Sequence, residues 1–285
     1  MVMDTKFRIL KPSRRNLLII CAGDKSLHNE WVKHRKTFDI ITIYYGDDPD
    51  IAKHYRDLSD IFFMTKGLKI ELARNVLLRH MKFDLAFNFS LYQHIWFPDD
   101  DLEFINGNTI EDLFDMAAVT HADVFQPAIA NENYSLAWEA TRVIPDVLAH
   151  RTNIVEVMAH GFSGEVFDQA YLTAIHVCEF MKSGWGLEPI WLKIGEATRG
   201  RPLNTYVFDC IPVNHTRPVG SGDSIVHRLG RFEAQFIPQI HTNRMVTMKI
   251  YENLSQLRSD NEYDVFGNEH LIEQWRSITF ENFRG

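Results

Sequence analysis

Cysteine is scarce in this chain. Three residues, Cys21, Cys178 and Cys210, make up the whole complement of a 285-residue sequence, with neither an even count nor metal-ligand spacing. That excludes a disulfide framework and fits a reducing, cytoplasmic setting in which all three are small buried hydrophobes. Basic charge is short as well: lysine and arginine number 30 against 38 acids, for a net charge of -8, with no long basic cluster. Such a surface offers no electrostatic footprint for nucleic acid, although a local basic pocket for phosphate stays open. Nor is there a long apolar run. The stretch from Leu17 to Ala22 follows a basic lead but is too short for a signal-peptide core or a membrane span. The expectation is a protein with no transmembrane segment, cytoplasmic or at most peripheral to the inner face of the membrane.

Several catalytic signatures are missing too. The sequence has no Gly-x-Ser-x-Gly, no His-Glu-x-x-His, no paired Cys-x-x-Cys and no Gly-x-Gly-x-x-Gly after the first strand. The segment Pro218-Val219-Gly220-Ser221-Gly222-Asp223 suggests a mobile loop or a phosphate-facing turn, but no Gly-Lys-Ser/Thr follows and it is not a P-loop. An aspartyl-nucleophile phosphatase needs its Asp-x-Asp after the first strand, and here it comes after the fourth.

What is present is an α/β pattern. With 45% hydrophobic residues and 33.2 kDa, and without repeats, low-complexity segments or linkers, the chain reads as one soluble domain. Strand-like runs at Leu17 to Ala22, Ile40 to Tyr45, Ile61 to Thr65 and His94 to Phe97 each end in polar turn residues. Helical spacing marks Leu68 to His80, Thr109 to Thr120 and Phe167 to Met181, and a closing helix is expected from Glu269 to Trp275. Further strands are expected at Asp123 to Ala128 and Tyr206 to Ile211. Strands alternating with helices define an open sheet whose ligand sits at the strand C-termini. Between them, Tyr134, Trp138, Phe162, Trp185 and Trp191 lie among small polar residues, where they either pack as an irregular layer or line a cleft for a ring-shaped ligand.

The most informative element is the run Ile95-Trp96-Phe97-Pro98-Asp99-Asp100-Asp101-Leu102-Glu103-Phe104. In an extended backbone Asp99 and Asp101 share one side and Asp100 points away. Such a pair can hold a hard divalent cation through oxygen, and the cation a diphosphate. A solvated turn or a helix cap is the plainer reading, but the apolar flanks would pull a free loop into the core. His215, in Val213-Asn214-His215-Thr216-Arg217-Pro218, could finish a metal site, with Arg217 and the glycine-rich loop covering a phosphate. In Ser183-Gly184-Trp185-Gly186-Leu187-Glu188 the indole offers a face to a sugar ring, and Glu188 could take a proton from a hydroxyl. Lys66 and Arg74 sit where cations could meet a nucleotide. Read singly, the tryptophan segment is as well explained by a surface turn, and the two cations by solvated helix charges.

The order of these parts is similar to the GT-A glycosyltransferase fold: an α/β half, an Asp-x-Asp written FPDDDLEF, an aromatic segment, GWGLE, then a histidine in VNHTRPVG. GWGLE with the downstream VFDCIPVNHTRPVG further resembles a little-characterised family of GT-A-like proteins from bacteria and plants, and the resemblance spans Asn16 to Arg231. It implies a single Rossmann-like mixed-sheet domain, with a nucleotide-binding half over about 14–105, an acceptor-binding half over about 106–235 and a tail over 236–285. It also implies a nucleotide-diphosphate sugar donor, a glycan or other hydroxyl acceptor, and Mn²⁺ or Mg²⁺. Asp101 would be the principal metal ligand, Asp99 would contact the metal or ribose, and His215 would complete the coordination. Glu188 would be the base of an inverting reaction; Lys66, Arg74 and Arg217 would contact the nucleotide. The third aspartate, Asp100, leaves the ligand register open by one residue. Two rivals remain, a nucleotidyltransferase, for which the turn Gly23-Asp24-Lys25-Ser26 is sparse, and a non-catalytic GT-A-like protein that binds a glycan or a partner.

Overall fold

A computed structural model describes residues 5–33, 35–65, 77–130, 139–177 and 188–217. Outside these residues lie Lys66, Arg74, Cys178, Tyr134, Trp138, Trp185, the Pro218 to Asp223 segment, the expected Glu269 to Trp275 helix and all but the last turn of the Leu68 to His80 helix.

The described strands join in one ten-stranded sheet in the order β1-β4-β3-β2-β5-β9-β7-β10-β6, with β8 beside β10. The apolar runs behave as their composition requires. Every residue of β2 (Asn16–Ala22) and β3 (Phe38–Tyr44) is buried, as expected for central parallel strands covered on both faces. The two run parallel in register from Asn16↔Phe38 to Ala22↔Tyr44. β4 (Ile61–Met64) continues the parallel block beyond β3, and β5 (His94–Trp96) pairs parallel on the other side of β2. The short β1 (Thr5–Phe7), not foreseen from the sequence, caps the outer edge antiparallel to β4.

The second block is mixed. β7 (Val124–Ile129) and β10 (Thr205–His215) run parallel, and β6 (Leu102–Phe104) and β8 (His150–Arg151) pair antiparallel with β10. Among the described residues the two blocks are joined within the sheet by β9 (Gly161–Ser163), a three-residue strand antiparallel to both β5 and β7. Gly161 permits this: a Cβ there would come within 2.4 Å of the Phe125 ring.

Helices cover both faces. Asp48 caps the Pro49–Leu58 helix by accepting from the Asp50 and Ile51 amides, and Thr109 with Asp112 forms a reciprocal capping box on the Ile110–Val119 helix. That helix buries Ile110, Leu113, Phe114 and Ala117 in one core layer with Leu18, Ile20, Phe38 and Trp96. On the opposite face a helical stretch opens at Gly164–Val166, passes through a π turn at Phe167–Tyr171 and continues over Leu172–Val177. It begins three residues before the expected position because Ser163 caps it from the Val166 amide. Here Phe162 and Trp191 meet edge to face at 5.8 Å, within an aromatic cluster containing Phe167 and Tyr171. Of the five irregularly spaced aromatics, these two are core packing. Cys21 is buried as expected, whereas Cys210 is only partly buried in β10; burial pushes its thiol up to about 11. No described helix is long and apolar enough to cross a membrane.

Candidate metal centre

In the first block the chain builds β2, β3 and β4 outward to one side, then returns to lay β5 on the other side of β2. Strand order reverses between β2 and β5, and an open α/β sheet has its ligand crevice at the carboxyl ends of the strands flanking such a reversal. The residues leaving those ends are Gly23 to Leu27 after β2 and Pro98 to Asp101 after β5.

The acidic run is a turn between β5 and β6, not an extended strand, and it lies deep in the molecule. Its apolar flanks hold it there, because Trp96, Phe97 and Leu102 are all but fully buried. The Trp96 indole donates to the Ala159 carbonyl at 2.9 Å, and the Trp31 indole to the Leu102 carbonyl at 3.0 Å. Each aspartate is then tied to a different part of the chain. The Asp99 amide donates to the Met158 carbonyl at 2.8 Å. The Asp100 carboxylate turns toward β2, accepting from the Gly23 amide at 2.8 Å, while its carbonyl accepts from the Leu27 amide at 2.8 Å. The Asp101 carbonyl accepts twice from Thr216, from the amide at 3.0 Å and from the hydroxyl at 2.8 Å.

Those last bonds bring in His215. The expected strand Tyr206 to Ile211 runs on as β10 to His215, past a register irregularity between Phe208 and Val213, and His215 pairs with Leu102 of β6. Ligand atoms of Asp99, Asp101 and His215 all lie within 4.8 Å of one another. The His215 Nε2 stands 3.3 Å from Asp101 Oδ1, yet that oxygen is buried and accepts no hydrogen bond among the described residues. A buried carboxylate oxygen left in this state costs on the order of 1–3 kcal/mol unless something else occupies it. Two carboxylates and one imidazole converging on such an atom could hold a divalent cation.

Arg217 stands on the other side of the turn. Its Nη1 donates to Asp100 Oδ1 at 3.1 Å and its Nη2 to the Lys25 carbonyl. Burial pushes the Asp100 carboxyl upward against the pull of Arg217 and the Gly23 amide. For Arg217 burial acts downward and is outweighed by Asp100 and Asp101, so the guanidinium is raised. The Tyr45 hydroxyl lies 3.4 Å from Asp100 Oδ2 and is raised by burial and by that carboxylate. The phosphate-facing role expected of Arg217 therefore competes with an ion pair inside the chain.

Glu188 is the first residue of the Glu188–Arg199 helix and is buried. One turn on, Trp191 stacks on His160 at 5.3 Å, and the His160 carbonyl accepts from the Phe97 amide at 3.0 Å. The helix is thus connected to the strand leading into the acidic turn, but Glu188 is not one of the three converging ligands. Sequence reading missed Gly23, Leu27, Tyr45 and Thr216. Only Gly23 carried a signal, as the residue ending the first buried strand.

No protein-family model and no curated protein matches the chain. Among solved structures, A197 from STIV aligns over 70% of this chain and 85% of its own, at 15% identity and a TM-score of 0.38. S. aureus TarS 1-349 aligns over 88% of this chain and 93% of its own, at 12% identity and a TM-score of 0.45.

Proposed function

We propose that this chain is a metal-dependent glycosyltransferase that moves a sugar from a nucleotide-diphosphate donor to a hydroxyl acceptor. The observation that carries the reading is the convergence of Asp99, Asp101 and His215 beyond the carboxyl end of β5, with one Asp101 oxygen accepting no hydrogen bond among the described residues. The donor set fits a divalent ion, and its imidazole favours Mn²⁺ over Mg²⁺, which prefers all-oxygen octahedra. When bound, such an ion supplies charge neutralisation and Lewis-acid polarisation at a diphosphate.

The chain's own residues would do the rest. Asp101, already aimed inward and braced by Thr216, is the principal ligand in this scheme, with Asp99 and His215 beside it. Glu188 is the proposed base, receiving the proton of the acceptor hydroxyl as that oxygen attacks the anomeric carbon and the sugar–phosphate bond breaks, which inverts the configuration. Lys66, Arg74 and Arg217 are proposed to contact the nucleotide.

Calorimetric titration of UDP and GDP, with and without Mn²⁺, into the wild type and Asp101→Ala tests the reading. Metal-dependent binding that disappears in the variant supports it, and metal-dependent hydrolysis of a nucleotide sugar then separates a transferase from a binding protein of the same fold. Absence of nucleotide binding under every condition would overturn it.

A further inference from the structure

We infer that Asp100 is a positioning residue, a clasp that spans the switch-point crevice and holds Asp99 and Asp101 in their ligating arrangement, and not itself a metal ligand. This inference rests on the metal reading above. Four bonds compose the clasp, and each leaves the acidic turn for a different group. One carboxylate oxygen accepts from the Gly23 amide at 2.8 Å and from the Tyr45 hydroxyl at 3.4 Å, the other from Arg217 at 3.1 Å, and the Asp100 carbonyl accepts from the Leu27 amide at 2.8 Å. Arg217 also reaches the Lys25 carbonyl, so the loop after β2, the acidic turn and the end of β10 close on a single carboxylate that is only 4% exposed.

Position explains why such a clasp is useful. Asp99 and Asp101 flank Asp100 in a turn, where backbone rotation is less constrained than in a strand, and a ligand pair needs its carboxylates fixed before the ion arrives. With the central carboxylate held toward Gly23, ligand atoms of Asp99 and Asp101 lie within 4.8 Å of each other and of His215. The same geometry closes the one-residue ambiguity of the triple aspartate, because both Asp100 oxygens already accept bonds from within the chain.

Asp100→Asn is the sharpest probe. An amide can keep an acceptor for Gly23 or for Arg217, but must then present its NH₂ to the other. Mn²⁺ alone, titrated by electron paramagnetic resonance of the free ion, should bind this variant roughly 10–100-fold more weakly than the wild type. Hydrogen exchange at residues 23–27 of the metal-free protein should quicken. Asp101→Asn should lose Mn²⁺ binding while exchange at 23–27 stays as in the wild type. Should Asp100→Asn fail to fold, Arg217→Gln, which removes the guanidinium from one of the four bonds, should show the same two changes to a smaller degree. Wild-type Mn²⁺ affinity in the substituted protein overturns the clasp. So does complete loss of binding with unchanged exchange, which would make Asp100 a ligand. A wild type that binds no Mn²⁺ fails at an earlier point, sinking the metal reading itself and the positioning role with it.

Discussion

Two buried aspartate–histidine pairs draw on the same strand. Asp209 and His215 both belong to β10, yet their pairs differ in how completely they are satisfied. His150 places Nδ1 2.7 Å from Asp209 Oδ2 and Nε2 2.8 Å from the Ala140 carbonyl, while Asp209 Oδ1 accepts from the Ile144 amide at 2.6 Å. Both ring nitrogens and both carboxylate oxygens thus have a hydrogen-bonding partner within the chain. Both side chains of that pair are fully buried. Asp101 and His215 are nearly as buried but stand 3.3 Å apart, with an Asp101 oxygen accepting no hydrogen bond among the described residues. Burial and residue type are alike in the two pairs. What separates the two pairs is that one Asp101 oxygen, which could still take a ligand.

Substitution should separate the two pairs most strongly. Asp209→Ala leaves a buried imidazole and the Ile144 amide without their acceptor and should cost about 3–5 kcal/mol in urea unfolding, with Mn²⁺ affinity of the folded fraction unchanged. Asp101→Asn should change stability by less than about 1 kcal/mol and abolish Mn²⁺ binding; equal destabilisation by the two substitutions would erase the contrast. Next in size, Mn²⁺ at a hundred times its dissociation constant should stabilise the wild type by about 2.7 kcal/mol. Asp209-side variants that still fold should share this gain, whereas Asp101→Asn should not, as read from thermal melts with and without the ion.

A third class of buried histidine sharpens the comparison through pH. Burial, the largest cause for each, pulls His28 down to about 3 and His94 down to about 4 from 6.5. Between those values and 6.5 the unfolded chain takes up protons that the folded chain refuses. Neither residue affects stability above pH 7, and each should lower it by about 2 kcal/mol at pH 5. His94→Gln should flatten the pH dependence of urea midpoints between 7 and 5. The smallest effect is expected from Thr216→Val. Its hydroxyl bond to the Asp101 carbonyl is lost while the amide bond remains, for about 1 kcal/mol in a thermal melt.

Much of the frame was legible in the sequence, because buried parallel strands write themselves as unbroken apolar runs. β2, β3, β4 and β7 appear within one or two residues of expectation, as does the helix after Thr109. The short strands β1, β6, β8 and β9 carry too little pattern to be seen, and their pairing is settled by tertiary contacts, whereas the equally short β5 was marked by its apolar run. β10 was read too short because Pro212 and the register irregularity interrupt its alternation, and this hid the fact that His215 closes a strand. The apolar flanks of the acidic run correctly foretold its burial. The grouping of Asp99 with Asp101 apart from Asp100 was legible from their alternation; the bonds that hold the turn were not, since those to Gly23, Leu27 and Thr216 join positions far apart in the chain.

The three-residue β9 has a mechanical meaning. Among the described residues, the parallel block ending at β5 and the mixed block beginning at β7 are joined along the sheet by that short strand, which offers few ladder bonds to resist a load drawn across it. Asp99 follows β5 of the first block, whereas Asp101 leads into β6 and His215 closes β10, both of the second. An ion gripped by all three would rivet the seam from above, so that a pulled molecule should yield at lower force once the ion is chelated away.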